Sequence, residues 1–538
     1  MASNVSIRAR HKLLTLALLI TLVATTCGAD PAVRAPEDEQ QAATTTPTTA
    51  SAEAETEDDS EAAAESEAGA DEASEQGEQT EPTQDAAEEG EPGRPLVTGV
   101  IGGETVGDPY YPTLGNTGYD VSHYELNLRV DIDGTDQLVA TAVIDLTATE
   151  DLAGFSLDLQ DEFKVDQVLV DDVAASFELA DDKLRISTST PLAAGTDHVV
   201  VVDYSGEPMT IDSTTRIGLI GWYDTPDVSV SVGEPFGART WYPVNDHPVD
   251  KATYTFNLDT DANLTGVANG TLESDETADG RRLTTWQMTD PMASYLATVS
   301  VGTYTLVQSD SGAGVEVFDA VPTRLTDVFV GDFELTDEML VTFVDLFGPY
   351  PFDEYGVLIA DTELGFALET QGRSLFSSAF VDGDGSIERI VAHELAHQWF
   401  GNNVSPETWQ DIWLNEGFAS YAEDLWIEFG RNGDANELED RLVARAQSAL
   451  IPAPGDPGAA GLFDPSVYRR GGLTLHALRL QIGDDDFFEI LQEWNVRFGG
   501  GVASTADFVA LSEEISGQNL DSFFTEWLGG GPLPPLAG

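Results

Sequence analysis

The chain has 538 residues, with 24 Lys and Arg against 96 Asp and Glu and a formal net charge of −72. Phosphates would be repelled by such a polyanion, so no nucleic-acid partner is expected. Domains usually run to roughly 100–200 residues, so the length calls for two or three folded units.

Arg8, Arg10 and Lys12 precede an apolar run from Leu13 to Ala24, short for a bilayer span and suited to a signal h-region. Residues 1–27 are read as an export signal, which places the mature protein in the cell envelope or outside the cell. Cys27 is the only cysteine, so no intrachain disulfide can form. Two readings of it stand. It resembles the lipid-modified cysteine of bacterial lipoproteins, with Ala24-Thr25-Thr26 as an imperfect lipobox, which would tether the protein to the outer face of a membrane. The other reading is ordinary cleavage near Ala29.

Residues 28–104 form an acidic low-complexity stretch; within 30–94 there are 21 acids and two arginines. A segment so poor in aromatic and branched apolar residues cannot offset its ordering entropy, and a disordered linker is expected. Beyond residue 94 there remain 75 acids against 19 bases. Such a surface suits high salt, where ions screen its self-repulsion, and equally suits a merely soluble acidic protein.

From 105 to 306 short alternating runs such as Tyr124–Val130 and Val199–Val202 are separated by Gly, Asp and Asn, the pattern of an all-β unit. From 307 to 538, after an opening strand, stretches such as Thr336–Phe347 and Ile387–Phe400 have helical spacing, and a mainly α unit is expected. The fold class is therefore α+β and multidomain.

His393-Glu394-Leu395-Ala396-His397 is an HExxH motif. Positions i and i+4 share one helix face, so both imidazoles can reach a single ion while Glu394 points at a water beside it. Ser386 offers an N-cap, Ile387, Val391, Leu395 and Trp399 form an apolar row, and Gly401 can close the helix in a left-handed conformation. Nineteen residues beyond His397, Glu416 falls on a second helical stretch, Ile412 to Phe429, and can complete the set. Two His and one carboxylate leave a fourth tetrahedral position open, the arrangement of a catalytic Zn2+. One ion per chain is expected.

His393–Asn402 (HELAHQWFGN) and Trp413–Ala419 (WLNEGFA), at this separation, resemble the aminopeptidase N family of zinc peptidases, the gluzincins. Gly237–Lys251, Phe347–Tyr355 and Val467–Leu475 are similar in the same order. The resemblance implies a β saddle followed by a thermolysin-like catalytic domain, and an enzyme that acts on peptides with a free N-terminus. It implies Glu394 as the base that takes and returns the proton, and Tyr468 as the donor to the oxyanion. It also implies Glu369 as a carboxylate for the substrate ammonium, with Ala367 beside the substrate and Glu234 as a second clamp. This copy departs from the family's G-x-M-E-N element: Phe366 stands at the glycine, Leu368 at the methionine and Thr370 at the asparagine. Asn415 and Asp411 are candidates to orient the metal-binding side chains. His247 and His476 are read as structural. Larger relatives add a helical C-terminal domain for which no sequence remains here, so an open site that tolerates longer peptides is expected. A monomer is expected as well. A thermolysin-type endopeptidase and a non-catalytic envelope binding protein remain as alternative readings.

Overall fold

The computed structural model describes residues 99–132, 138–430, 433, 435–447 and 453–536. The export signal, Cys27 and the linker up to residue 98 lie outside the described residues. No helix among the described residues is long and apolar enough to cross a membrane.

Three sheets build the first half. An eight-stranded sheet has the order Thr271–Ala278, Arg281–Met292, Ala252–Asp261, Tyr119–Val130, Leu138–Ala148, Asp197–Gly206, Lys164–Val170 and Val173–Ala174. In Tyr119–Val130, Tyr124, Leu126, Leu128 and Val130 turn to the core and the residues between them do not, as a half-buried strand requires. The all-valine run obeys the same rule: Val200 and Val202 are fully buried, whereas Val199 is 40% exposed. Two hairpins turn on Asp pairs, Asp171-Asp172 and Asp181-Asp182, all four at positive φ. Asp and Asn tolerate this left-handed geometry better than most residues, which is why such pairs close two-residue loops.

The folded part begins earlier than residue 105. Val100–Ile101 runs parallel to Leu152–Asp158, and Glu104 accepts from Arg185 Nε and Nη2 at 2.6 and 2.9 Å. The end of the expected linker is thus a strand of the four-stranded sheet, recruited by backbone pairing that composition does not reveal.

The boundary at 306/307 also shifts. Val299–Gly302 belongs to a five-stranded sheet of the first half, whereas Tyr304–Asp310 pairs with Glu316–Pro322 in a six-stranded sheet of the second. The change of sheet falls at Thr303, and a cut at 306 would divide a strand. The second half also holds more β structure than an opening strand, because that sheet continues through Glu354–Tyr355, Val357–Ala360, Ser374–Ser377 and its edge, Ala367–Leu368. Runs of two to four residues are too short to show a period.

Nine helices follow among the described residues: α1 Thr326–Phe333, α2 Thr336–Phe347, α3 Glu388–Ala396, α4 Trp413–Phe429, α5 Ala435–Gln447, α6 Pro465–Ile482, α7 Asp484–Phe498, α8 Thr505–Ser516 and α9 Asp521–Leu528. The β and α halves share one contiguous hydrophobic core. At the crossing of α4 and α6 two glycines meet. A Cβ on Gly471 would stand 2.8 Å from the Gly417 Cα, so the two backbones are in contact.

Candidate metal centre

Helix α3 and its C-cap residue His397 carry the motif. Ile387, Val391, Leu395 and Trp399 are all buried and fix which face the helix turns inward. Its N-cap position is Ile387, whose side chain cannot cap, and Ser386 lies outside the helix with its N–H donated to Asp384 Oδ1 at 2.8 Å. Gly401 has φ +119°, outside the left-handed helical well, and its place is set by crowding. A Cβ there would lie 3.0 Å from Asn415 Nδ2 and 3.4 Å from His397 Nδ1.

His393 and His397 meet Glu416 of α4. His393 Nε2 stands 3.2 Å from Glu416 Oε2, and His397 Nε2 3.5 Å from the same oxygen. Atoms bound tetrahedrally to one zinc at about 2.0–2.2 Å lie roughly 3.3–3.6 Å apart, so the donor set fits that ion. Burial opposes the charge on Glu416, but hydrogen bonds from the two imidazoles pull it down to about 2.

The remaining imidazole nitrogens define the ring orientations. His397 Nδ1 donates to the Phe400 carbonyl at 3.0 Å, and His393 Nδ1 lies 3.1 Å from Glu423 Oε1. Glu423 was not singled out from the sequence, although it lies seven residues beyond Glu416, two turns along the same face of α4. It is held in turn by Arg441 of α5, Nη2 to Oε2 at 3.3 Å. Asp411 does not orient a metal ligand. Its Oδ1 accepts from Thr505 N and Oγ1 at 2.9 and 2.7 Å, and its Oδ2 from Thr408 Oγ1 at 3.0 Å, so it fastens the start of α8 instead. Asn415 acts one step away from the imidazoles: its Nδ2 donates to Tyr295 Oη at 3.2 Å, and that hydroxyl donates to the Gly401 carbonyl at 3.0 Å.

Glu394 and Glu369 face this group, each offering a carboxylate oxygen within 4.8 Å of a His397 nitrogen and of the other. Burial pushes Glu394 up to about 8 against the pull of His393 and His397. Burial likewise raises Glu369, which His397 partly relieves, and burial with the nearby Glu369 charge raises Glu234. Glu234 and Glu369 are 1% and 2% exposed, and one carboxylate oxygen of each has no hydrogen-bond partner. Buried acceptors left open in this way are places where a cationic donor gains most.

Ala367 lies on the edge strand, opposite Phe376 and leading directly into Glu369. Phe366 packs half-buried against the core, and Gly365 sits in open space where a Cβ would touch nothing. Glu369 is fixed by its backbone: its carbonyl accepts from Asn402 Nδ2 at 2.6 Å and Gln398 Nε2 at 3.2 Å. The Gln and Asn of the HELAHQWFGN motif thus tie this loop to the metal-binding helix.

Tyr468 comes from the first turn of α6, which starts with Pro465 behind an Asp464 cap on Ser466 N. Its ring stacks on that of His393, with centroids 6.0 Å apart and planes at 19°. Burial, then the charges of Glu416, Glu234 and Glu369, push the phenol well above 10, so it stays protonated and able to donate. His247 and His476 are elsewhere: His247 Nε2 meets Asp108 Oδ2 at 3.2 Å and His476 Nδ1 meets the Tyr421 hydroxyl at 3.1 Å.

This arrangement of two β- and α-rich halves around a His/His/Glu centre has known relatives. Residues 332–527 match the Peptidase family M1 domain and residues 120–296 the Peptidase M1 N-terminal domain. An M1 zinc metallopeptidase of Deinococcus radiodurans, solved as a crystal structure, is 31% identical, with a TM-score of 0.74 over 80% of this chain and 99% of its own. The chain belongs to peptidase family M1. A mutant of the Deinococcus protein has been solved bound to a Tyr-Ser-Ala substrate. Among curated relatives, the probable aminopeptidase 2 of Sulfurisphaera tokodaii is 26% identical over 381 residues, 65% of this chain and 47% of that protein. The glutamyl aminopeptidase of Sus scrofa is 28% identical over 344 residues, 57% of this chain and 36% of that protein. This M1 chain therefore spans about half or less of the curated relatives it matches.

Proposed function

We propose that this M1 chain is a zinc-dependent aminopeptidase that hydrolyses the first peptide bond of peptides with a free N-terminus. The observation that carries the reading is the pair of buried carboxylate oxygens without hydrogen-bond partners, one on Glu369 next to His397 and one on Glu234, which feels the charges of Glu369 and Glu416. An α-ammonium entering there donates to both and offsets the burial that disfavours their charged forms. His393, His397 and Glu416 would hold a Zn2+, which would supply a Lewis acid for the scissile carbonyl and lower the pKa of water from 15.7 to about 7. Glu394 receives the proton of the attacking water and returns it to the leaving amine. Tyr468 donates its phenolic hydrogen to the oxyanion formed from the scissile carbonyl. Edge strand Ala367–Leu368 offers backbone groups along which a bound peptide can extend.

The N-terminal sequence supports export, with lipidation of Cys27 or cleavage near Ala29 as the two forms of the mature protein. Mass spectrometry of the mature N-terminus distinguishes them.

A panel of aminoacyl fluorogenic amides, free and N-acetylated, tests the activity with and without a chelator. Hydrolysis of the free amines alone, abolished by the chelator and restored by Zn2+, is the expected result. Equal cleavage of acetylated peptides would establish an endopeptidase instead.

A further inference from the structure

Lys251 precedes the strand Ala252–Asp261 of the β-rich half and reaches into the catalytic half. Its Nζ donates to the Asn402 carbonyl at 2.7 Å and to the Asn403 carbonyl at 3.1 Å. Both carbonyls belong to the turn that follows α3, whose preceding residues include both imidazoles. Giving up water for two neutral carbonyl acceptors costs the half-buried ammonium solvation, and Lys251 is the donor that satisfies the Asn402 carbonyl.

The constraint travels further through Asn402. This residue is fully buried; its backbone N–H donates to the His397 carbonyl at 3.0 Å and its Nδ2 to the Glu369 carbonyl at 2.6 Å. Lys251, Asn402 and Glu369 thus form a line from the β-rich half, across the end of the metal-binding helix, to the amine-binding carboxylate. Asn269 reinforces the same loop from the β side, donating to the Gln371 carbonyl at 2.9 Å.

We propose that Lys251 is a positioning residue for recognition of the substrate amine, fixing through Asn402 how far Glu369 stands from the metal donors. The proposal rests on the aminopeptidase reading. A residue that served packing alone would disturb stability without favouring one kinetic constant. A residue that sets the Glu369 position acts on amine binding and leaves the metal donors as they are.

The test uses the full chain with Lys251→Met, Asn402→Ser and both together. Each variant should keep one Zn2+ per chain, with unchanged affinity in chelator competition, because the side chains replaced bond to the Asn402, Asn403 and Glu369 carbonyls and not to the side chains of His393, His397 or Glu416. KM for a free aminoacyl amide should rise about tenfold with kcat altered less than about threefold. The double variant should be no worse than the worse single one, because the two residues act in series. An unchanged KM in either folded single variant, or fully additive effects, would overturn the proposal. Should Lys251→Met fail to fold, Asn402→Ser decides by the same KM readout. If the unsubstituted chain binds zinc but turns over no free amine, the aminopeptidase reading falls and takes this proposal with it.

Discussion

Gly417 and Gly471 touch backbone to backbone where α4 crosses α6, and this contact sets Tyr468 over the ring of His393. Glu416 precedes one glycine and Tyr468 lies one turn before the other, so the crossing fixes a metal donor and the oxyanion donor relative to each other. Gly471→Ala places a methyl 2.8 Å from the Gly417 Cα and must push the helices apart. Overpacking of this kind costs about 1–3 kcal/mol. The expected outcome is a lower midpoint in denaturant and a fall in kcat larger than the change in KM, with zinc content retained. Wild-type kcat in Gly471→Ala would contradict this account of how Tyr468 is placed.

Glu423 supplies a prediction independent of Tyr468. Its carboxylate holds His393 Nδ1 at 3.1 Å, and partners of this kind fix the tautomer and the aim of the metal-binding nitrogen. Glu423→Gln keeps the shape and removes the charge. Zinc affinity by chelator competition should weaken about 10- to 100-fold. An affinity equal to that of the unsubstituted protein would show that the contact does not orient the ring.

The amine clamp is tested by Glu369→Gln. With Glu234 left as the sole buried carboxylate for the ammonium, KM for free aminoacyl amides should rise at least tenfold while zinc stoichiometry stays at one. A charge-assisted hydrogen bond contributes about 1.5–3 kcal/mol, which corresponds to this range. Preserved KM would assign the unpartnered oxygen another role.

The metal donors were legible because helical geometry ties sequence spacing to direction: four residues separate two side chains on one face, whatever surrounds them. Alternating runs likewise marked the large sheet of the first half. Asp411 misled for the opposite reason. It is five residues from Glu416 in sequence, but a 3-10 turn ahead of α4 directs its carboxylate to Thr505. The clamp on His397 is a backbone carbonyl, and no residue type announces it. Gln398 and Asn402 stood inside the recognised motif, yet their target, the Glu369 carbonyl, is about thirty residues away and set by tertiary packing.

Stability should fall as pH rises through neutrality. Burial pushes Asp250 and Asp319 up to about 7, well above the ordinary aspartate value of 3.8. A carboxyl that keeps its proton more tightly in the fold than in the unfolded chain favours the fold fully below pH 3.8. That contribution is lost progressively as pH rises through about 7. The melting temperature at constant ionic strength should therefore decline between pH 5 and pH 8. In Asp319→Asn, which retains an oxygen for the Val357 N–H, the decline should be shallower. An identical pH slope in this variant would remove Asp319 from the cause.

Salt should act in the opposite direction to alkali. With 75 acids against 19 bases beyond residue 94, the folded part repels itself, and hairpins that turn on Asp171-Asp172 and Asp181-Asp182 place like charges side by side. The screening length shrinks from about 10 Å at 0.1 M to about 3 Å at 1 M salt, so most of this repulsion disappears in molar sodium chloride. The melting temperature should rise accordingly. Asp172→Asn keeps a residue that tolerates positive φ and removes one charge, so it should stabilise the protein in low salt and lose that advantage in molar salt. A melting temperature indifferent to sodium chloride, or a gain from Asp172→Asn that persists at 1 M, would show that charge repulsion does not limit this fold.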